Sequence, residues 1–129
     1  MTQSDTPARK PTESELEILR ALWAKGSATV REVFEVLSTE REIGYTTVLK
    51  TMQIMLDKGL VSRTEDGKAH IYAAAMREED MQDQLLKDLS NKLFSGSPAL
   101  LAMHALSLQP ASDEEIQLIK ALIERKRGA

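Results

Sequence analysis

Gly44-Tyr45-Thr46-Thr47-Val48-Leu49-Lys50-Thr51-Met52-Gln53-Ile54-Met55-Leu56-Asp57-Lys58-Gly59 is the stretch whose reading decides the fold. Val48, Met52, Met55 and Leu56 recur at i, i+4, i+7 and i+8, the apolar stripe of a helix. Thr46, Thr47, Lys50 and Gln53 fall on another face, and none is a carboxylate. Gly59 can adopt φ > 0 and end the helix. A helix with one buried stripe and an acid-free polar face at its N-terminal end suits the major groove, because its first turns can approach base edges and phosphates without like-charge repulsion. The same pattern also suits an ordinary amphipathic surface helix, so its neighbours have to decide.

Upstream, Thr12-Glu13-Ser14-Glu15 is a capping box, in which Thr12 and Glu15 satisfy each other's backbone N–H groups. Leu16, Leu19, Leu22 and Trp23 then carry helical spacing as far as Ala24, and Gly26 stops it. A second box, Thr29-Val30-Arg31-Glu32, opens a short helix with Val30, Val33, Phe34 and Leu37 on one side. Residues 40–43 form a charged connector into the third helix. Three short helices with tight joints point to a helix-turn-helix core.

Downstream of Gly59 the period changes. Residues 60–65 and 68–73 read as two strands, with Asp66-Gly67 between them as the turn. Three helices followed by a β-hairpin is the order of a winged helix, with Arg63 and Lys68 on the wing. Beyond it, Met81, Leu85, Leu89 and Leu93 mark a long helix, broken at Phe94-Ser95-Gly96-Ser97-Pro98. Ser97 caps a further helix through Leu106 that carries Leu100, with Pro98 at its first position. Ser112-Asp113-Glu114-Glu115 boxes a last one with Ile116, Ile119 and Ile123. Some fifty residues of short helix bury too little apolar surface alone, so Met81, Leu85, Leu89, Leu93, Leu100, Ile116, Ile119 and Ile123 are expected to pair with a second copy.

Composition narrows the classes. The chain has 129 residues and formal net charge −3. The first 76 residues carry ten Lys/Arg against eleven Asp/Glu, and the remaining 53 carry seven against nine. No global basic signal points to nucleic acid, whose phosphates supply much of the affinity. Local placement of charge therefore has to carry any such reading. Cysteine is absent, which removes disulfides, thiolate metal sites and cysteine nucleophiles. No apolar run reaches the roughly 18 residues of a membrane span, and the expected location is cytoplasmic. His70 and His104 have no second ligand at metal-site spacing, and no phosphate loop or nucleophile motif is present. No catalytic residue, metal or cofactor is expected, and the chain reads as a non-enzyme.

With this layout, the sequence resembles the penicillinase-repressor family of bacterial regulators, the BlaI/MecI/CopY group. The likeness covers roughly residues 11–126. It is carried by Glu15-Leu16-Glu17-Ile18-Leu19 with Leu22-Trp23, by Tyr45-Thr46-Thr47-Val48, by Asp57-Lys58-Gly59-Leu60-Val61, and by Asp66-Gly67-Lys68-Ala69-His70-Ile71-Tyr72, in order and at family spacing. Three departures stand out. Ile54 occupies a place where many members carry an arginine, the cysteines of the copper-responsive branch are absent, and the Asn-Phe bond cut in the β-lactam-responsive branch is replaced within Leu101-Ala102-Met103-His104-Ala105-Leu106.

The resemblance implies a mainly α protein with a small β-hairpin: a flexible arm over residues 1–11, a winged helix-turn-helix over 12–75 and a three-helix dimerisation region over 76–129. Its expected function is that of a homodimeric, sequence-specific repressor on a palindromic operator. The expected partners are double-stranded DNA, a second copy of the chain and a membrane-bound sensor metalloprotease, with repression relieved by proteolysis or by another signal from such a sensor. Candidate DNA contacts are Tyr45, Thr46, Thr47, Lys50 and Gln53 on the third helix, Thr29 and Arg31 at the start of the second, and Arg63 and Lys68 in the wing. Arg9 and Lys10 are further cations in the arm. The competing reading, kept open by the acidic balance, is a winged-helix module that binds protein and not DNA.

Overall fold

Local signals cut the first part of the chain into helices much as its caps predict. The computed structural model describes residues 10–128. Helix α1 spans Glu13–Lys25; Thr12 Oγ1 accepts from the Glu15 N–H at 3.1 Å, and Glu15 Oε1 accepts from the Thr12 N–H at 2.9 Å. Gly26, at φ +89°, ends it. Helix α2, Val30–Ser38, carries the same reciprocal box between Thr29 and Glu32. Helix α3, Tyr45–Lys58, ends at Gly59 with φ +80°. There the Leu60 N–H donates to the Met55 carbonyl and the Gly59 N–H to that of Leu56, the paired bonds of a Schellman stop.

Strands β1, Val61–Asp66, and β2, Ala69–Ala74, pair antiparallel in the register Val61↔Ala74 through Asp66↔Ala69. The turn is therefore Gly67-Lys68, one residue later than the Asp66-Gly67 turn expected, and Lys68 sits at the tip and not in a strand. An Asp66-Gly67 turn of the I′ kind would need positive φ at both residues. In the observed frame only Gly67 has it, at +66°. A single residue also bridges to the other edge of β2: Ala28, between α1 and α2, exchanges backbone hydrogen bonds of 2.9 and 2.8 Å with Tyr72.

The core collects Ile18, Leu19 and Leu22 from α1, Val33 and Leu37 from α2, Val48, Met52 and Met55 from α3, and Val61 and Tyr72 from the hairpin. Helix α4, Glu78–Leu93, contributes to it too. Met81 is 3% exposed within that cluster, Leu85 packs against it, and the Trp23 indole N–H donates to the Met76 carbonyl at 2.9 Å. The sequence pattern places Met81 and Leu85 on a dimerisation stripe. Met81 is instead sealed inside the winged helix and Leu85 flanks it, because the first two turns of α4 lie against Leu16 and Trp23 of α1.

The chain divides into two compact units after Leu85. In the second, the end of α4 is followed by Ser95 at φ +53° and Gly96 at φ +76°. Then come α5, Pro98–Leu108, capped by Ser97, and α6, Asp113–Gly128, opened by a box between Ser112 and Glu115. Helix α5 runs two residues beyond the expected end at Leu106. No residue of α5 or α6 is buried. Leu86, Leu89, Leu93, Leu100, Met103, Leu106, Ile116, Leu122 and Ile123 all stand exposed.

Candidate nucleic-acid interface

The 100° step of a helix sends Val48, Met52 and Met55 of α3 into the core, each with no exposed surface, and leaves Thr46, Thr47, Lys50 and Gln53 outside. The first turn of α3 contains no acid, and its cap, Gly44, offers no side-chain acceptor to the helix N–H groups. Within α3 the Thr51 hydroxyl donates to the Thr47 carbonyl at 2.8 Å.

Tyr45 begins α3 and packs edge-on against Phe34 of α2, with ring centroids 5.7 Å apart and planes at 79°. The Arg31 guanidinium lies 4.9 Å from the Tyr45 centroid and 5.8 Å from that of Phe34. This cation–π stack holds an exposed positive charge between the start of α2 and the start of α3. Thr29 is committed as the cap of α2, although its hydroxyl proton remains free to donate.

Thr29, Arg31, Tyr45, Gln53, Arg63 and Lys68 line a single open hollow together with His70 and Tyr72. Six of the nine candidate residues are thus gathered from α2, α3 and the wing. Arg63 faces this hollow because it stands opposite Tyr72 across the hairpin, on the same side of the sheet. Thr47 turns the other way, into a hollow shared with Ser14, Arg41 and Gly44. Thr46 and Lys50, four residues apart, form the crest between the two. Lys10 is exposed, and Arg9 lies outside the described residues.

Charge is sorted in the same way. Among the described residues, Lys58 pairs with Glu15 and Arg41 with Glu17, both at 2.8 Å. No carboxylate lies within 4 Å of Arg31, Lys50, Arg63 or Lys68 among the described residues. A nearly neutral domain thus presents four cations without a carboxylate partner around α2, α3 and the wing, although among the described residues Arg20 and Lys25 of α1 also lack one. The wing also holds Glu65, 3.7 Å from His70 Nε2, which tempers the positive field there. His70 and His104 are both exposed, and no cluster of metal-binding side chains occurs among the described residues.

Three parts of this arrangement escape sequence reasoning. The Arg31–Tyr45–Phe34 stack joins two helices, and Arg41 and Ser14 reach the second hollow from different elements. The Glu15–Lys58 pair spans 43 positions, so no local pattern announces it. Burial would push the Glu15 carboxyl up, but hydrogen bonds from Lys58 and Thr12 and the Lys58 charge outweigh it and hold the group below its ordinary value.

Comparison with known proteins gives the family and the fold. The family model described as penicillinase repressor matches residues 11–125. The transcriptional regulator BlaI of Mycobacterium tuberculosis is 33% identical over 116 residues, covering 88% of this chain and 83% of that protein. The methicillin resistance regulatory protein MecI of Staphylococcus aureus strain N315 is 20% identical over 122 residues, covering 95% and 99%. The solution structure of the DNA-binding domain of the repressor BlaI superposes with a TM-score of 0.51 at 22% identity, over 60% of this chain and 93% of that one, and shares the fold. No helix among the described residues is long and apolar enough to cross a membrane. With a family model spanning nearly all of its length, the chain belongs to the penicillinase repressor family, whose members are transcriptional repressors and not enzymes.

Proposed function

We propose that this chain represses transcription as a homodimer on a palindromic operator, each winged helix placing α3 in a major groove. The observation that carries the reading is the convergence of the polar face of α3, the start of α2 and the wing on one exposed surface that holds four cations with no carboxylate within 4 Å among the described residues. Thr46, Thr47, Lys50 and Gln53 would meet base edges, while Tyr45, Thr29, Arg31, Arg63 and Lys68 would hold phosphates. The names of the relatives support it, since they are regulators with a DNA-binding domain of this fold. The exposed Leu89, Leu93, Leu100, Ile116 and Ile123, with half-buried Ile119, form the dimerisation surface, because this many aliphatic side chains left in water call for a partner. Proteolysis under a membrane-bound sensor metalloprotease would then relieve repression by separating the two winged helices.

The acidic net charge favours one other reading, a winged helix that binds protein. Titrating the DNA upstream of the protein's own gene at two salt concentrations separates them. A repressor binds it with a salt slope set by its few cations and ignores random DNA at 150 mM salt, whereas the protein-binding module binds neither.

Two substitutions refine this test. Lys50→Ala should weaken operator binding by about 1–2 kcal/mol, the lower part of the range for a specific base contact, because an ammonium is a point charge and not a bidentate fork. Unchanged operator affinity at matched salt would remove α3 from the groove. Lys68→Ala at the wing tip should weaken operator and random DNA alike and reduce the salt slope by about 1; a loss confined to the operator would make Lys68 a base reader.

A further inference from the structure

Ile54 is 45% exposed, on a helix whose other aliphatic side chains are buried or half-buried. The only other large apolar side chain exposed on α3 is Tyr45, whose ring is occupied by Phe34 and Arg31. Ile54 stands four residues after Lys50, which puts it about 40° away around the helix and about 6 Å further along it. It therefore shares the crest with Thr46 and Lys50, the face assigned above to base edges. Relative to Thr47 it is seven residues on, about 10 Å, or some three base-pair steps. Asp57 follows on the same face, so Ile54 is the last side chain before a carboxylate would confront the phosphates.

We propose that Ile54 reads thymine, its side chain closing on the C5-methyl group of one thymine in each operator half-site. The inference rests on the operator-binding reading and deepens it. The thymine methyl is the one apolar handle in the major groove. An isoleucine set against cytosine N4 or the guanine acceptors would strip them of water and return no hydrogen bond, so the contact discriminates by penalty as well as by attraction. A β-branched side chain within a helix is held close to one χ1 rotamer, so little freedom is lost when it docks.

Deoxyuridine lacks only the methyl group, which makes the test direct. The full chain selects duplexes from a random pool, and each thymine of the winning sequence is replaced in turn by deoxyuridine. At one position per half-site the replacement should weaken the wild-type protein about three- to fivefold, the scale of one buried methyl group. The Ile54→Ala protein should bind the thymine duplex that much more weakly and be indifferent to deoxyuridine at that position, with its sedimentation unchanged. If every deoxyuridine effect persists in Ile54→Ala, Ile54 reads no thymine. If Ile54→Ala alters the oligomeric state, the side chain serves a protein contact and the proposal fails. If the wild-type chain enriches no duplex at all, the operator-binding reading fails first and this one with it.

Discussion

A chain ending at Leu85 should sediment as a monomer and hold a two-half-site operator roughly 10²- to 10⁴-fold more weakly than the full chain. Two tethered winged helices meet a palindrome as one ligand, and the second half-site binds at an effective concentration of order millimolar. Removing α5, α6 and the second half of α4 forfeits that avidity and touches none of the residues of α2, α3 or the wing. Affinity for an isolated half-site should therefore stay within about twofold, since mutations far from an interface and sharing no partners with it act independently. A fragment that stays dimeric, or keeps full operator affinity, would place dimerisation elsewhere.

The endpoint matters. A chain ending at Ala75 would also lose Met81 from the core and the Met76 carbonyl that accepts the Trp23 indole N–H. Its weaker binding would mix lost avidity with lost folding. Stopping at Leu85 separates the two, because the first compact unit ends there. For the proposed dimer, the same comparison gives a physical reason for proteolysis to act as a switch: a cut around Ser95 and Gly96, where the backbone leaves helical geometry, would separate the winged helices without touching α2, α3 or the wing.

What could be read in advance follows from the range of the interactions. The boxes at Thr12–Glu15, Thr29–Glu32 and Ser112–Glu115 close within three residues, and the stops at Gly26 and Gly59 need only local φ, so the helix starts and stops were legible. The turn slipped by one because Asp66-Gly67 and Gly67-Lys68 are both good two-residue turns, and only the cross-strand register separates them. Met81 departs from the pattern for a different reason. Its stripe runs unbroken along α4, and sequence periodicity says which face is apolar but not what covers it. The residues of the candidate interface were each visible from their spacing. Their division into two hollows and a crest depends on how α2 and the wing pack beside α3, and that packing leaves no mark on any single element.

The second large effect concerns the Glu15–Lys58 pair, which ties the start of α1 to the end of α3. Both Glu15 oxygens lie 2.8 Å from Lys58 Nζ, and Glu15 is only 4% exposed. Lys58→Met leaves that carboxylate buried without its cation. Removing one partner of a buried pair costs about 3–5 kcal/mol, and the Lys58 side chain, 25% exposed, places this case near the lower end, about 3 kcal/mol. Glu15→Gln should cost less, because an amide at this position still closes the capping box with Thr12 while no anion is stranded. The pH dependence distinguishes the two mechanisms. Glu15 has its folded pKa held below the unfolded value, so its stabilisation is complete above the unfolded carboxylate value and is lost as the pH falls through the folded one. Denaturant titrations between pH 7 and pH 3 should show wild type losing more stability on acidification than Glu15→Gln, with Lys58→Met losing least, since protonation there relieves a buried charge. Parallel curves for all three proteins would mean that the pair is solvated in solution and does not set the position of α3.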